Sequence, residues 1–159
     1  MKLSIRYARG SNEIERCFRL FHTAADDNYR GLEIEEGEDR VDLVDGMKTL
    51  FIERKLPDHY RVVGLFGDGK LIGAALIHDA KYGYSKSEKR QWIWLLSLAK
   101  GYCGKGYGRH FVRGLESRAR RAGYKKIGAG VWNFNHGCLS LFHGLGYSPE
   151  PATRFSKSL

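Results

Sequence analysis

The chain reads LAKGYCGKGYGRH from Leu98 to His110. This stretch begins as the end of an apolar run, crosses a loop rich in glycine, and enters a segment whose apolar residues recur at helical spacing. A strand, a glycine turn and a helix start, in this order, present bare backbone N–H groups to an anion. Glycine permits positive φ and lets a phosphate approach closely. The sequence therefore predicts an anion-binding turn, to which Lys105 and Arg109 add cations.

A glycine-rich turn is also compatible with a plain connection between a strand and a helix. The spacing of its glycines does not fit two common nucleotide-binding motifs. A P-loop requires a Lys-Ser or Lys-Thr pair after its last glycine, and this stretch has none. The dinucleotide pattern G-x-G-x-x-G fails at its third glycine, where Phe111 stands. The spacing therefore excludes these two nucleotide motifs.

Two motifs together resemble those of the GNAT acyltransferase superfamily, whose members bind acetyl-coenzyme A. Cys103–Gly108 resembles [RQ]-x-x-G-x-[GA], with Cys103 at the position of the Arg or Gln. Asn135–Tyr147 resembles N-x-x-A-x-x-L-Y-x-x-x-G-[FY], with Phe142 at the position of the tyrosine. The resemblance extends over nearly the whole chain. It implies an acetyl-coenzyme A-dependent N-acetyltransferase that acts on a primary amine by direct attack in a ternary complex.

The order of predicted elements is β-α-α-β-β-β-α-β-α-β, which is also the order of a GNAT domain. Residues 1–159 are predicted to form a single GNAT-like acetyltransferase domain of the α/β (α+β) class. We expect a mixed, mostly antiparallel sheet of six or seven strands with helices on both faces. The predicted strands are 2–9, 60–66, 70–78, 91–99, 126–132 and 152–159.

Several local patterns give further expectations. Asn12 and Glu15 resemble a capping pair at the start of a helix that reaches about residue 25. The polar segment 26–39 is interpreted as a loop, and 41–51 as a second helix. Asp68-Gly69 predicts a hairpin. Strand 91–99 has almost no polar residues and is expected to be buried on both faces.

Charge is distributed unevenly along the chain. The net charge is +9 at pH 7, yet Asp26–Asp45 contributes −7 and the rest of the chain +16. Lys100–Lys126 holds nine basic residues and one acid, Glu116. Such a basic region suits coenzyme A and equally nucleic acid, although a solvated helix face is the commoner meaning of a charge run.

The remaining composition excludes several classes of protein. Three scattered cysteines argue against a disulfide framework and against zinc, so no metal is expected. No apolar stretch approaches the length of a membrane span, and the amino terminus alternates like a strand, unlike a signal peptide. These features predict a cytoplasmic protein without a membrane partner. The oligomeric state stays open between a monomer and a homodimer.

The resemblance also implies where the donor, acetyl-CoA, lies. In that family the strand equivalent to 92–98 splays from the strand equivalent to 126–132. The pantetheine arm pairs near Leu98 and Lys100, and the pyrophosphate sits on the turn Gly104–Gly108. The residues that we expect to bind the co-substrate are Leu98, Lys100, Cys103, Gly104, Lys105, Gly106, Tyr107, Gly108, Arg109, Asn135 and Phe142.

The catalytic groups are less well defined. The family often donates the last proton from a tyrosine, and Phe142 cannot donate one. His143 follows it but points about 100° round the helix. Ser97 could hold a water, and the pair His78-Asp79 is interpreted as structural. The loop after the first helix overhangs the acceptor site in the family, so Tyr29, Glu33 and Glu35 are candidates to bind a cationic acceptor, and Glu33 or Glu35 to relay its proton.

Two alternative functions remain at this point. The basic helix favours a nucleic-acid-directed protein, such as an acetyltransferase of charged transfer RNA. The replacement of the tyrosine by Phe142 favours a non-catalytic protein that binds acyl-coenzyme A.

Overall fold

The computed structural model describes residues 1–29, 60–80, 90–131 and 135–149. A short 3₁₀ turn, Lys100–Tyr102, lies between the strand that ends at Leu98 and the helix that begins at Tyr107. The predicted helix at 41–51 and the predicted strand at 152–159 lie outside the described residues. The elements in chain order are β1 (Leu3–Tyr7), α1 (Gly10–Tyr29), β2 (Tyr60–Gly67), β3 (Lys70–Ala80), β4 (Arg90–Leu98), α2 (Tyr107–Arg121), β5 (Lys126–Ala129) and α3 (His136–His143).

The described strands form one sheet in the order β1-β2-β3-β4-β5. The first four strands are antiparallel to their neighbours, and β5 is parallel to β4. The predicted hairpin joins β2 to β3, with positive φ at Asp68 and Gly69. The predicted class, a mixed and mostly antiparallel sheet, is therefore confirmed, with five strands in the described part of the chain.

Helices cover both faces of the sheet, as predicted, and each face has its own apolar core. On one face, α1 packs Cys17, Phe18 and Phe21 against side chains of β2 and β3. On the other face, α2 and α3 pack against the sheet. The buried residues that α2 contributes are Phe111, Val112 and Leu115, and α3 contributes Phe142. The glycine turn therefore begins a helix that is anchored along its whole apolar side.

The pairing between β4 and β5 is short. It runs from Arg90↔Lys126 to Ile93↔Ala129 and goes no further. Directly beyond Ile93, the register between β3 and β4 shifts, so that Trp94 is an extra residue in β4. A bulge bends its strand and increases the local twist. Among the described residues, the second half of β4 consequently has no partner on the β5 side, which is the splay that the resemblance implied.

Three local expectations were wrong. Helix α1 begins at Gly10 and continues to Tyr29, because no glycine or proline interrupts residues 11–30; the predicted loop therefore begins later than residue 26. Asn12 and Glu15 do not cap it; instead Glu13 accepts from the Arg9 backbone N–H at 2.7 Å. Strand β4 is not buried on both faces, since the bulge leaves Trp94 37% exposed.

Candidate functional site

The turn between β4 and α2 has the geometry that an anion site requires. Gly104 and Gly106 have φ of +71° and +82°, a region that side chains strain to adopt. A Cβ on either glycine would meet nothing within 4 Å, so the space above the turn is open. Gly106 is the N-cap residue of α2 and has no side chain with which to accept from the first helical N–H groups. These N–H groups, at the positive end of the helix dipole, are therefore available to an anion.

The two cations of the turn already have partners in the chain. Lys105 Nζ donates to the Gly101 carbonyl at 2.8 Å. Arg109 Nη1 donates to the Gly144 carbonyl, also at 2.8 Å, and so ties the first turn of α2 to the end of α3. Both side chains are exposed. The backbone of the turn, more than these cations, is the part that is free to bind.

The open half of β4 presents backbone groups. The Ala99 N–H donates to the Ile72 carbonyl on β3 at 2.9 Å. Successive residues of a strand point their N–H and C=O groups to opposite edges. Leu98 and Leu96 therefore direct theirs away from β3, toward the side where β5 no longer pairs. An extended ligand could pair with β4 there as an additional strand would.

Helix α3 lies beside the glycine turn and the open half of β4. A Cβ on Gly108 would lie 3.4 Å from a Leu141 methyl carbon and 3.7 Å from one of Leu98, so α2, α3 and β4 meet at this glycine. Asn135 is confirmed as the N-cap of α3, because its side-chain oxygen accepts from the Cys138 N–H at 3.1 Å. The structure thus brings Leu98, the first turn of α2 and the C-terminal half of α3 together at one end of the sheet.

Phe142 belongs to the core. It is 6% exposed, and its ring lies 4.8 Å from the Tyr147 ring in an edge-on arrangement. Burial raises the pKa of Tyr147, and the nearby Glu116 carboxylate raises it further. Tyr147 therefore keeps its proton within the layer between α2 and α3.

The structure describes the side chains of two of the predicted catalytic residues, Ser97 and His143. Ser97 is half-buried on β4, opposite Ala74 of β3, and His143 is exposed at the end of α3. Tyr29 is the last residue of α1. Glu33 and Glu35 lie outside the described residues. Ser97 and His143, whose side chains the structure describes, therefore lie on different elements, β4 and α3.

Two features of this region were not predicted from the sequence. Tyr102 and Tyr107 bracket the turn, with ring centroids 5.5 Å apart in an edge-on arrangement. The bulge at Trp94 sets where the open half of β4 begins. The two tyrosines stand on either side of the glycines in the sequence, so their proximity could have been predicted. A bulge within an apolar run has no such sequence signal.

The structure also bears on the excluded classes, within its described ranges. Among the described residues, no group of three or more His, Cys, Asp or Glu side chains could hold a metal ion. None of the described helices combines the length and the apolar character needed to cross a membrane. Cys17, Cys103 and Cys138 form no disulfide with one another.

A splayed sheet with a glycine turn at the start of the following helix defines an α/β domain whose geometry suits an extended anionic ligand. Comparison with known families then names its class. The model of the family described as "Acetyltransferase (GNAT) family" matches residues 19–147 of this chain. The chain therefore belongs to the GNAT acetyltransferase family, as its two motifs predicted.

Individual relatives agree with this assignment. A probable spermine N(1)-acetyltransferase of Bacillus subtilis subsp. natto is 25% identical over 130 residues, which are 77% of this chain and 82% of the relative. A putative acetyl transferase from Pyrococcus furiosus superposes with a TM-score of 0.73 at 18% identity, over 99% of this chain and 100% of that one. An aminoglycoside acetyltransferase from an uncultured soil metagenomic sample gives 0.68 at 14% identity, over 99% and 96%. The two structures share the fold.

Proposed function

We propose that this protein is an N-acetyltransferase that transfers the acetyl group of acetyl-coenzyme A to a primary amine of a polycationic acceptor. The single observation that carries the proposal is the coincidence of an open glycine turn at one end of β4 with an unpaired strand edge along it. Membership of the GNAT acetyltransferase family supports the same reaction class.

The residues present fit the donor. The N–H groups at the start of α2 suit a pyrophosphate, because two negative charges meet the helix dipole and bare amides. The unpaired backbone of Leu96 and Leu98 suits the amides of a pantetheine arm. Lys105 and Arg109 lie beside the turn and supplement its positive charge.

Acyl transfer from a thioester to an amine breaks a C–S bond and forms a C–N bond. The amine loses one proton, and the departing thiolate can take up one proton. In this chain a backbone N–H of the open half of β4 would polarise the thioester carbonyl. Phe142 provides no acid, so we assign the thiolate's proton to water, and Glu33 or Glu35 accepts the proton of the amine.

The acceptor class follows from charge. Nine acids against two bases in Asp26–Asp45 attract a cation, and that segment overlaps the end of α1. Two of the relatives are named for spermine and for aminoglycosides, both of which carry several amines.

The donor site is tested by calorimetric titration with acetyl-coenzyme A. In Gly106→Glu, the strained φ and the added negative charge should weaken binding by about a hundredfold. Gly101→Ala is the matched control, because Gly101 has no positive φ and open space around its Cβ, and it should bind within about twofold of the natural chain. Equal affinities in both variants would reject the turn as the donor site.

The acceptor is tested by coenzyme A release with a panel of amines that includes spermine, an aminoglycoside and a lysine peptide. Replacing Glu33, Glu35 and Glu36 together by Gln should raise KM for the responding polycation by about tenfold, because the attraction is electrostatic. An unchanged KM would reject the acidic segment as the acceptor site. Donor binding without turnover on any amine would favour the non-catalytic alternative.

A further inference from the structure

The rings of Tyr60, His78 and Trp94 lie in contact on the α1 face of the sheet, beside the point where β4 leaves β5. In the sheet register, His78 of β3 lies opposite Tyr60 of β2 on one side and opposite Trp92 of β4 on the other. The His78 ring lies 4.9 Å from the Tyr60 ring and 5.4 Å from the Trp94 ring. We call Tyr60, His78 and Trp94 the aromatic ledge.

Trp94 is the exposed member of the aromatic ledge. It is 37% exposed, whereas Tyr60 and His78 are half-buried behind it. The bulge explains this position, because the extra residue turns the indole outward on the face that His78 occupies. The tilted contact with the His78 ring supports the indole on one side, while part of the indole stays exposed to a ligand.

Trp92 closes the base of the opening next to the ledge. Its indole lies over β5, where a Cβ on Gly128 would collide with the ring and Gly130 is also in contact range. The space between β4 and β5 is therefore filled at Trp92 and opens at Trp94. From Leu98 to Trp94 the strand covers about 13 Å at the usual rise per residue. The turn that suits phosphates and the exposed indole thus lie at opposite ends of the open half of β4.

An exposed indole face at this position suits an organic cation. Tryptophan is the side chain that attracts cations most strongly through its ring. The acidic segment Asp26–Asp45 begins in the last turns of α1, the helix that covers this same face of the sheet. Negative charge in the sequence and an aromatic surface in the structure therefore favour the same class of ligand.

We infer that the face of Trp94, backed by His78 and Tyr60, binds an alkylammonium group of the acceptor. This inference rests on the proposed function and adds to it the residues that recognise the acceptor. The ammonium bound at the ledge need not be the amine that reacts, since a polyamine has several. The ledge would then position the acceptor at the end of the opening farthest from the glycine turn.

The test uses two probes of the same shape that differ in charge. Choline carries a quaternary ammonium that cannot be acetylated, and 3,3-dimethylbutan-1-ol is its neutral counterpart. Binding of each to the full chain is followed by NMR shifts of the indole N–H groups and, for the acceptor, by competition in coenzyme A release. Choline should bind about fivefold more tightly than the neutral alcohol. Equal affinities would overturn the inference.

Two variants of Trp94 separate recognition from folding. Trp94→Phe keeps an aromatic ring and should keep most of the preference for choline, whereas Trp94→Leu should abolish it and raise KM for a polyamine by about fivefold with little change in kcat. Circular dichroism establishes that each variant is folded. A preference for choline that is retained in folded Trp94→Leu would overturn the inference. If Trp94→Leu does not fold, complete loss of the preference in folded Trp94→Phe, which keeps an aromatic ring, would overturn it.

Calorimetry with acetyl-coenzyme A distinguishes this failure from a failure of the proposed function. The two Trp94 variants should bind the donor within about twofold of the natural chain, because the glycine turn is remote from them. Absence of donor binding in the natural chain would refute the proposed function alone. Choline binding without a charge preference would refute the ledge alone.

Discussion

The two ends of the open half of β4 are built in different ways. At the Leu98 end, the groups that face a ligand are backbone N–H groups, and glycines keep them bare. At the Trp94 end, the exposed group is a side chain, and its position depends on residues from β2 and β3. A site made of backbone groups is formed by a few consecutive residues and can be recognised in the sequence. A site made of side chains that contact one another draws its residues from separate strands.

The cysteines give the largest expected contrast between the glycine turn and a core far from it. Cys103 is exposed in the turn, whereas burial raises the pKa of Cys17 to about 12. At pH 8, iodoacetamide should alkylate Cys103 more than about a hundredfold faster than Cys17, because the thiolate reacts. Mass spectrometry of the folded chain measures both rates. Acetyl-coenzyme A should slow the labelling of Cys103 alone; labelling of Cys103 that the donor leaves unchanged would argue against a donor at the turn.

Gly128 of β5 and Gly130, which follows that strand, test the packing at the side-chain end of β4. Gly128→Ala should lower the free energy of unfolding by about 2 kcal/mol, since its Cβ would displace the Trp92 indole. Gly130→Ala is the matched control, because its Cβ would lie 3.9 Å from that ring, and it should change stability by less than about 0.5 kcal/mol. Urea unfolding measures both. Similar losses in the two variants would contradict the assigned packing of Trp92.

Arg109 tests whether a cation beside the turn is structural. Arg109→Gln removes the hydrogen bond to the Gly144 carbonyl and should lower stability by about 1 kcal/mol. Arg113→Gln, an exposed change on the same helix, should have almost no effect on stability. The comparison is made by urea unfolding without ligand. If the two variants are equally stable, Arg109 does not hold α3 against α2.

Glu13 gives a reference ion pair remote from both ends of β4. Its carboxylate accepts from the Arg6 guanidinium twice at 2.7 Å. The Arg6 hydrogen bonds, and then the Arg9 backbone N–H, lower the pKa of Glu13 to about 2. Solvent screening keeps the contribution of this partly exposed pair to stability small. Because the pKa is lowered on folding, this stability is present above about pH 4.5 and is lost as the pH falls toward 2.

Glu13→Gln should therefore be less stable than the natural chain at pH 7 and nearly equal to it at pH 2. Thermal unfolding followed by circular dichroism at several pH values measures the difference. A difference that stays constant with pH would mean that the lost stability is not that of an ionised carboxylate.

The sequence predicted those features that depend on local signals. The glycine spacing placed the turn, Asp68-Gly69 the hairpin, and Asn135 the cap of α3. It could not locate the bulge at Trp94, because the apolar run of β4 has no break and the shift arises from pairing with β3. It also did not bring His78 to Trp94, since those two rings meet through the register of separate strands. The predicted end of α1 was too early for a different reason, because the polarity of residues 26–29 was given more weight than the absence of a glycine or proline there.

The central claim is that backbone groups from Leu96 to Arg109 bind the donor, and amide hydrogen exchange tests it residue by residue. The Ala99 N–H bonds to β3 and should exchange slowly with or without acetyl-coenzyme A. The N–H groups of Leu96 and Leu98, and those of the first turn of α2, should become protected only when the donor is present. Protection that appears elsewhere while these amides continue to exchange freely would contradict the account.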